Sequence, residues 1–296
     1  MAIPTEDPII VAPSPTPFKA DDSVDYAAIE HNVARWQETS LSGFILNSEN
    51  GEETFLSEQE RLEVIRTVAR ANENRKLIIG GIDCPSATES LRLGEALVEA
   101  GAELLRVRIP RLTDVVGYFN EVIPRAAAPV VIIHQMAPGL FLSTSTGVGA
   151  APEIVADLLA RDNVYGYITS ADIRFEARVL SLLKADRRFW MGNACILLAG
   201  AAMGANGACM MLGNVAPQAC HDIMRLAMNG EVAAARDVHN RIMETDWEIL
   251  SRRAAGLKAA LNLQGFQAGA PRSPTPACTK EEIDRIKSAM TSAGLV

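Results

Sequence analysis

The chain of 296 residues is poor in the features that would tie it to nucleic acid, a membrane or a disulfide scaffold. Its net charge of −8 leaves no basic face for a phosphate backbone or an anionic lipid surface. Its longest apolar stretches are broken by glycine or a polar residue well short of a membrane span. The opening MAIPTEDPIIVAPSPTPF has no basic region followed by a long apolar run, so no signal peptide is read there. Cys84, Cys195, Cys209, Cys220 and Cys278 are scattered without a CxxC pair. That pattern argues against a zinc ribbon or a disulfide framework and fits reduced thiols in a cytoplasm. There is no HxH or HExxH spacing and no phosphate-binding GxGxxG or Walker loop. Neither a metal nor a cofactor is therefore expected, and the expected partner is a small molecule.

What is present suits a globular enzyme with a large core: 48% hydrophobic and 22% charged residues, with only 5% aromatics. Short apolar runs alternate with longer helical patterns. Strands are predicted at Ile9–Ala12, Gly43–Leu46, Leu77–Ile79, Leu104–Arg108, Val130–His134, Tyr165–Thr169, Phe189–Met191 and Gly207–Met211. A helix follows each; the one from Ser57 opens on a capping-box pattern with Glu60. Eight strand–helix units in about 210 residues imply an α/β chain closed into a (β/α)8 TIM barrel. Residues 1–217 are read as the barrel. Residues 218–296 are read as a C-terminal helical extension packed on it, the two forming one structural unit.

In such a barrel the chemistry sits at the C-terminal ends of the strands. Those ends hold Thr16, the Asn47–Glu52 loop, Asp83 and Cys84, Arg106 to Arg111, His134 and Gln135, Ile168 to Asp172, Asn193 and Asn214. The motifs there resemble the dihydrodipicolinate synthase / N-acetylneuraminate lyase family. Ser14-Pro15-Thr16-Pro17-Phe18 is similar to its first-strand TPF. Ser48-Glu49-Asn50-Gly51-Glu52, followed by Leu56 and Glu60-Arg61-Leu62, is similar to its GTTGE or GSNGE loop and the helix after it. Gly101-Ala102-Glu103 with Pro110 resembles its fourth unit. Gly192-Asn193, Gly204-Ala205-Asn206-Gly207 and Asn214-Val215-Ala216-Pro217 resemble its last two units. The closing Thr291-Ser292-Ala293-Gly294-Leu295 is closest to 4-hydroxy-2-oxoglutarate aldolase-like members.

The resemblance implies a lyase of aldolase or dehydratase type. It also implies a homo-oligomer, a dimer or a tetramer. Family members form an imine between a sixth-strand lysine and a 2-oxo acid. Here that position falls on Ile168, and no lysine lies between Lys76 and Lys184. An isoleucine has no nucleophilic nitrogen, so imine catalysis from this strand is excluded by the alignment. The family's loop threonines become Glu49 and Asn50, its PYY becomes Pro110-Arg111-Leu112, and its fifth-strand tyrosine falls on Ile133 or His134. The segment Gln135–Ala151 is about seven residues longer than the family's and rich in Ser, Thr and Gly, as a remodelled lid would be.

On this reading Glu49 and His134 are the proton-transfer candidates; the alternatives are a solvated loop carboxylate and a structural histidine. Ser48, Asn50, Thr169 and Ser170 would line the pocket. Arg108 and Arg111 would hold an anionic group. Arg106 shares a face with Arg108, but the reading favours an outward Arg106 paired with helix carboxylates. Asp83 reads as an N-cap or loop acid. A metal held by His134, Glu49, Asp83 and Asp172 is disfavoured. Three functions stay open: a lyase-type enzyme working without an imine on a small carboxylated or hydroxylated metabolite, a catalytically inactive member binding a small ligand or a paralogous subunit, and a hydrolase or isomerase on the same barrel.

Overall fold

The structure, a computed structural model, describes residues 7–110, 114–134, 150–169, 172–183 and 187–296. Eight parallel strands close into a barrel in sequence order: β1 (Ile9–Pro13), β2 (Gly43–Leu46), β3 (Leu77–Ile82), β4 (Leu104–Arg108), β5 (Val130–Ile133), β6 (Val164–Ile168), β7 (Arg188–Met191) and β8 (Gly207–Cys209). Pairing of Ile9 with Gly207 and of Val11 with Cys209 closes the ring between β1 and β8. Helices α1 (Tyr26–Gln37), α2 (Glu58–Asn72), α3 (Ala87–Glu99), α4 (Val115–Arg125), α5 (Pro152–Leu159), α6 (Ile173–Leu182) and α7 (Leu197–Met203) connect successive strands. After β8 the chain runs through α8 (Pro217–Met228), α9 (Val232–Leu250), α10 (Arg253–Leu263) and α11 (Lys280–Ser292).

The strands are apolar on both faces because both faces are covered. In β5, Val131 and Ile133 point into the barrel with Ile168 and Trp190, whereas Val130 and Ile132 pack outward against the helices. Each such side chain contributes about 1.5–3 kcal/mol by leaving water. The strict two-residue alternation means that a side chain's parity on its strand decides whether it meets the cavity or a helix.

Local signals set the helix starts. Ser57 Oγ accepts from the Glu60 amide at 3.2 Å and the Ser57 amide donates to Glu60 Oε2 at 2.8 Å, the reciprocal pair expected from the sequence. The C-terminal helices reach back to the strand-end loops. Lys258 of α10 is fully buried, ion-paired with Glu52 and donating to the Ala270 carbonyl at 3.0 Å. That tie holds α10 against the loop after β2. No helix among the described residues is long and apolar enough to cross a membrane.

Candidate functional site

A cavity of about 630 Å³ opens at the C-terminal ends of the strands. Its floor is the top of the barrel interior, with Ile45, Ile133, Ile168 and Cys209. Its walls are the loop after β2 (Ser48, Glu49, Asn50), Thr169 and Asp172 after β6, and Asn193 after β7. Asp246 and Leu250 of α9 and Arg253 of α10 complete the mouth. The C-terminal helices therefore form part of the cavity.

Arg106 also lines this cavity, which corrects the outward orientation expected for it. It is 2% exposed, and Leu104, two residues earlier on β4, already belongs to the barrel interior. Arg106 and Arg108 thus share the inner face, and both pair with Asp83. Arg106 Nη2 lies 2.9 Å and Arg108 Nη2 2.8 Å from Asp83 Oδ2. Asp83 is therefore the buried counter-ion of two arginines. The helix cap expected of it is supplied by Ser86, whose side chain accepts from the Glu89 amide. Asn47 adopts left-handed backbone (φ 54°) and its carbonyl accepts from Arg106 Nη2 at 3.1 Å. Gly81 makes room for this contact: a Cβ there would lie 2.0 Å from the Asn47 carbonyl oxygen and 2.5 Å from Arg106 Nη2.

Glu53 completes the cluster 3.6 Å from Arg108 Nη2. Burial, and then the charge on Asp83, push its carboxyl up to about 7 against the pull of the two arginines, and it donates a hydrogen bond to Asp83. Burial would raise Asp83 too. Arg106, Arg108 and the Glu53 hydrogen bond outweigh it and hold Asp83 below the usual carboxylate range. Glu53 therefore offsets the two guanidinium groups less fully than an ordinary ionised carboxylate would. Arg106 Nε has no hydrogen-bond partner among the described residues. The cavity floor therefore holds an arginine with an unmet donor.

The residues singled out in the sequence fall into four groups. Ser48, Glu49, Asn50 and Thr169 all line the cavity. Ser48 Oγ is buried without a hydrogen-bond partner among the described residues. Glu49 Oε1 sits 2.9 Å from Arg253 Nη1, so its ion-pair partner comes from α10. Thr169 Oγ1 accepts from the Gly192 amide at 2.9 Å. Arg108 stands behind Arg106 in the ion cluster and does not line the cavity.

His134 is placed elsewhere, and this corrects its reading as a cavity base. It is fully buried and follows inward-facing Ile133, so its parity turns it toward the helices. Its ring lies 4.8 Å from that of Phe175 on α6, and its Nε2 accepts from the Ala150 amide at 3.4 Å. Arg111, Ser170 and residues 135–149 of the long segment lie outside the described residues. Asp172 lines the cavity and caps α6, accepting from the amides of Arg174 at 3.0 Å and Phe175 at 3.2 Å. Among the described residues no group of three or more His, Cys, Asp or Glu side chains converges as a metal site would require.

Two acids were missed. Glu53 had a signal: it lies four residues beyond Glu49, in the loop facing the Arg106–Arg108 pair. Asp246 had none, because a single acid on a helix this late in the chain gives no sign of crowning the barrel mouth. It is 6% exposed, and burial alone pushes its carboxyl up to about 6.

Comparison with known proteins agrees with this architecture. The family model described as "Dihydrodipicolinate synthetase family" matches residues 7–293. A 4-hydroxy-tetrahydrodipicolinate synthase of Archaeoglobus fulgidus is 26% identical over 289 residues, covering 95% of this chain and 96% of the relative. Among solved structures, a monomeric dihydrodipicolinate synthase variant superposes with a TM-score of 0.88 at 22% identity, over 97% of both chains. A dihydrodipicolinate synthase from Acinetobacter baumannii, complexed with pyruvate, has a TM-score of 0.87 at 22% identity, over 99% of this chain and 100% of that one.

Proposed function

The chain belongs to the dihydrodipicolinate synthetase family, and from that premise we propose that it is a lyase-type enzyme acting on a small carboxylated metabolite without a lysine imine. The observation that carries this reading is Arg106: a buried guanidinium lining the cavity, paired with Asp83, whose Nε has no hydrogen-bond partner among the described residues. On this reading a carboxylate in the cavity would take as donors Arg106 Nε and the Ser48 hydroxyl, both buried beneath the lining and without a hydrogen-bond partner among the described residues. Charge-assisted hydrogen bonds of this kind, in a site partly closed to water, orient a substrate strongly.

Two observations support a reading without an imine. The position aligned with the family's lysine is Ile168, whose side chain forms part of the apolar floor. Among the described residues no lysine lines the cavity. Lys258 is committed to Glu52, and Lys76 donates to the Thr39 and Leu41 carbonyls. Without a covalent electron sink, negative charge developing on the substrate oxygen must be met by fixed donors. Arg106 is placed to do this. Glu49, at the mouth and held by Arg253, is the group that removes or returns a proton as the carbon–carbon or carbon–oxygen bond breaks. Asn50 and Thr169 orient the substrate, and a cytoplasmic location fits the unpaired thiols.

The reading is tested by following small 2-oxo and hydroxy carboxylic acids by proton NMR with the wild type and Glu49→Gln. The expected result is turnover by the wild type, with Glu49→Gln still binding the acid but slowed by a factor on the order of 10² or more. Carboxylates that bind and raise the melting temperature without turnover by the wild type would favour the non-catalytic ligand-binding reading instead.

A further inference from the structure

Three acids line the cavity, and two of them are already engaged. Glu49 is paired with Arg253, and Asp172 caps α6. Asp246 has no hydrogen bond or ion pair to any described residue although it is 6% exposed and faces the cavity. Burial is what shifts it, and no cation among the described residues stands close enough to hold it down. A buried carboxylate in that condition is costly unless something supplies positive charge.

The barrel separates this acid from the anion anchor. Arg106 sits on β4 and leans toward Asn47 and Asp83 at the ends of β2 and β3. Asp246 sits on α9, which packs over the turns that follow β7 and β8. In a ring of eight strands β8 lies opposite β4. One cavity thus presents a buried cation on one side and a buried, unmatched anion on the other.

We infer that the substrate is zwitterionic: a small organic acid bearing an amine, with its carboxylate on Arg106 and its ammonium on Asp246. This rests on the reading of Arg106 as the carboxylate anchor and adds the second pole. Asp246 is then a specificity-determining residue contributed by the C-terminal helices.

The test is a ladder of charge separations read by isothermal titration at about pH 8, where Asp246 is ionised. The probes are 4-aminobutyrate, 5-aminopentanoate and 6-aminohexanoate, each against the acid lacking the amine (butyrate, pentanoate, hexanoate) and the alkylamine lacking the carboxylate. At least one amino acid is expected to bind about tenfold or more tightly than both of its half-charged counterparts, the increment of one charge-assisted contact. Asp246→Asn, checked to keep a cooperative melting transition at or above that of the wild type, should remove that preference and leave the affinity for the simple acid in place. Simple acids binding as well as the amino acids would overturn the inference while leaving Arg106 as an anchor. No binding by any carboxylate would overturn both. The wild-type ladder decides the matter even if the variant fails to fold.

Discussion

The β3–β4 side and the β5–β6 side of the cavity floor are built from strands of the same kind but carry opposite chemistry. On the first, Arg106, Arg108, Asp83 and Glu53 form a buried ion cluster at the strand ends. On the second, Ile133 and Ile168 continue the apolar barrel interior up to the cavity, His134 is turned away, and Asp172 is taken up in capping α6. The difference teaches where function has been kept in this barrel. On the proposed reading the apolar side includes Ile168, the position read as the family's imine lysine, and no lysine among the described residues lines it. The polar side offers fixed charge. On the proposed reading a site arranged this way holds and polarises an anion through fixed charge, without a lysine imine.

Substitutions on the two sides should separate accordingly. Asp83→Ala leaves two buried guanidinium groups facing only Glu53. Breaking a buried pair by removing one partner costs about 3–5 kcal/mol, and urea denaturation should show a loss of that order. A loss under about 1 kcal/mol would mean that water reaches the cluster freely.

Asp246 probes the α9 wall through pH. Burial raises its folded-state pKa to about 6, above the ordinary aspartate value of 3.8, so the folded state holds the proton more tightly. Its stabilising contribution is complete below about pH 4 and is lost as pH rises through 6. Asp246→Asn should therefore gain stability relative to the wild type across that window, by about 2–3 kcal/mol between pH 4 and pH 8. Parallel denaturation curves for the two proteins check this. Glu53, raised to about 7, adds a loss of the same sign up to higher pH, and Asp246→Asn should leave that part untouched.

On the apolar side, Ile168→Val removes one methylene from a packed floor. It should cost only about 0.5–1.5 kcal/mol and leave carboxylate binding unchanged. Weakened binding would place the anion nearer β6 than this account has it. The smallest effect is expected at the rim. Arg253 is mostly exposed, so Arg253→Ala should change stability by about 0.2–1 kcal/mol, less in high salt.

Much of this was legible in the residues. Alternating strand and helix patterns placed all eight strands, because parallel strands covered on both faces leave short apolar runs between helix signals. The loop after β2 was correctly brought to the cavity through Ser48, Glu49 and Asn50. The misplacements came from strand parity. Arg106 faces inward and His134 outward because the registers of β4 and β5 fix alternate side chains on opposite faces. An arginine on an inner face reads as improbable until its partners, brought from the ends of other strands, are known. Asp246 was illegible for a different reason: how α9 lies across the mouth is set by its packing on α7, α8 and the turns after β7 and β8, and leaves no local pattern.

The most direct test of the central claim is borohydride reduction in the presence of pyruvate and a panel of 2-oxo acids, followed by intact-protein mass and with an imine-forming relative treated in parallel. The account predicts no increase in mass for this protein under conditions that label the relative fully. A stable adduct on this protein, mapped to any lysine, would contradict it.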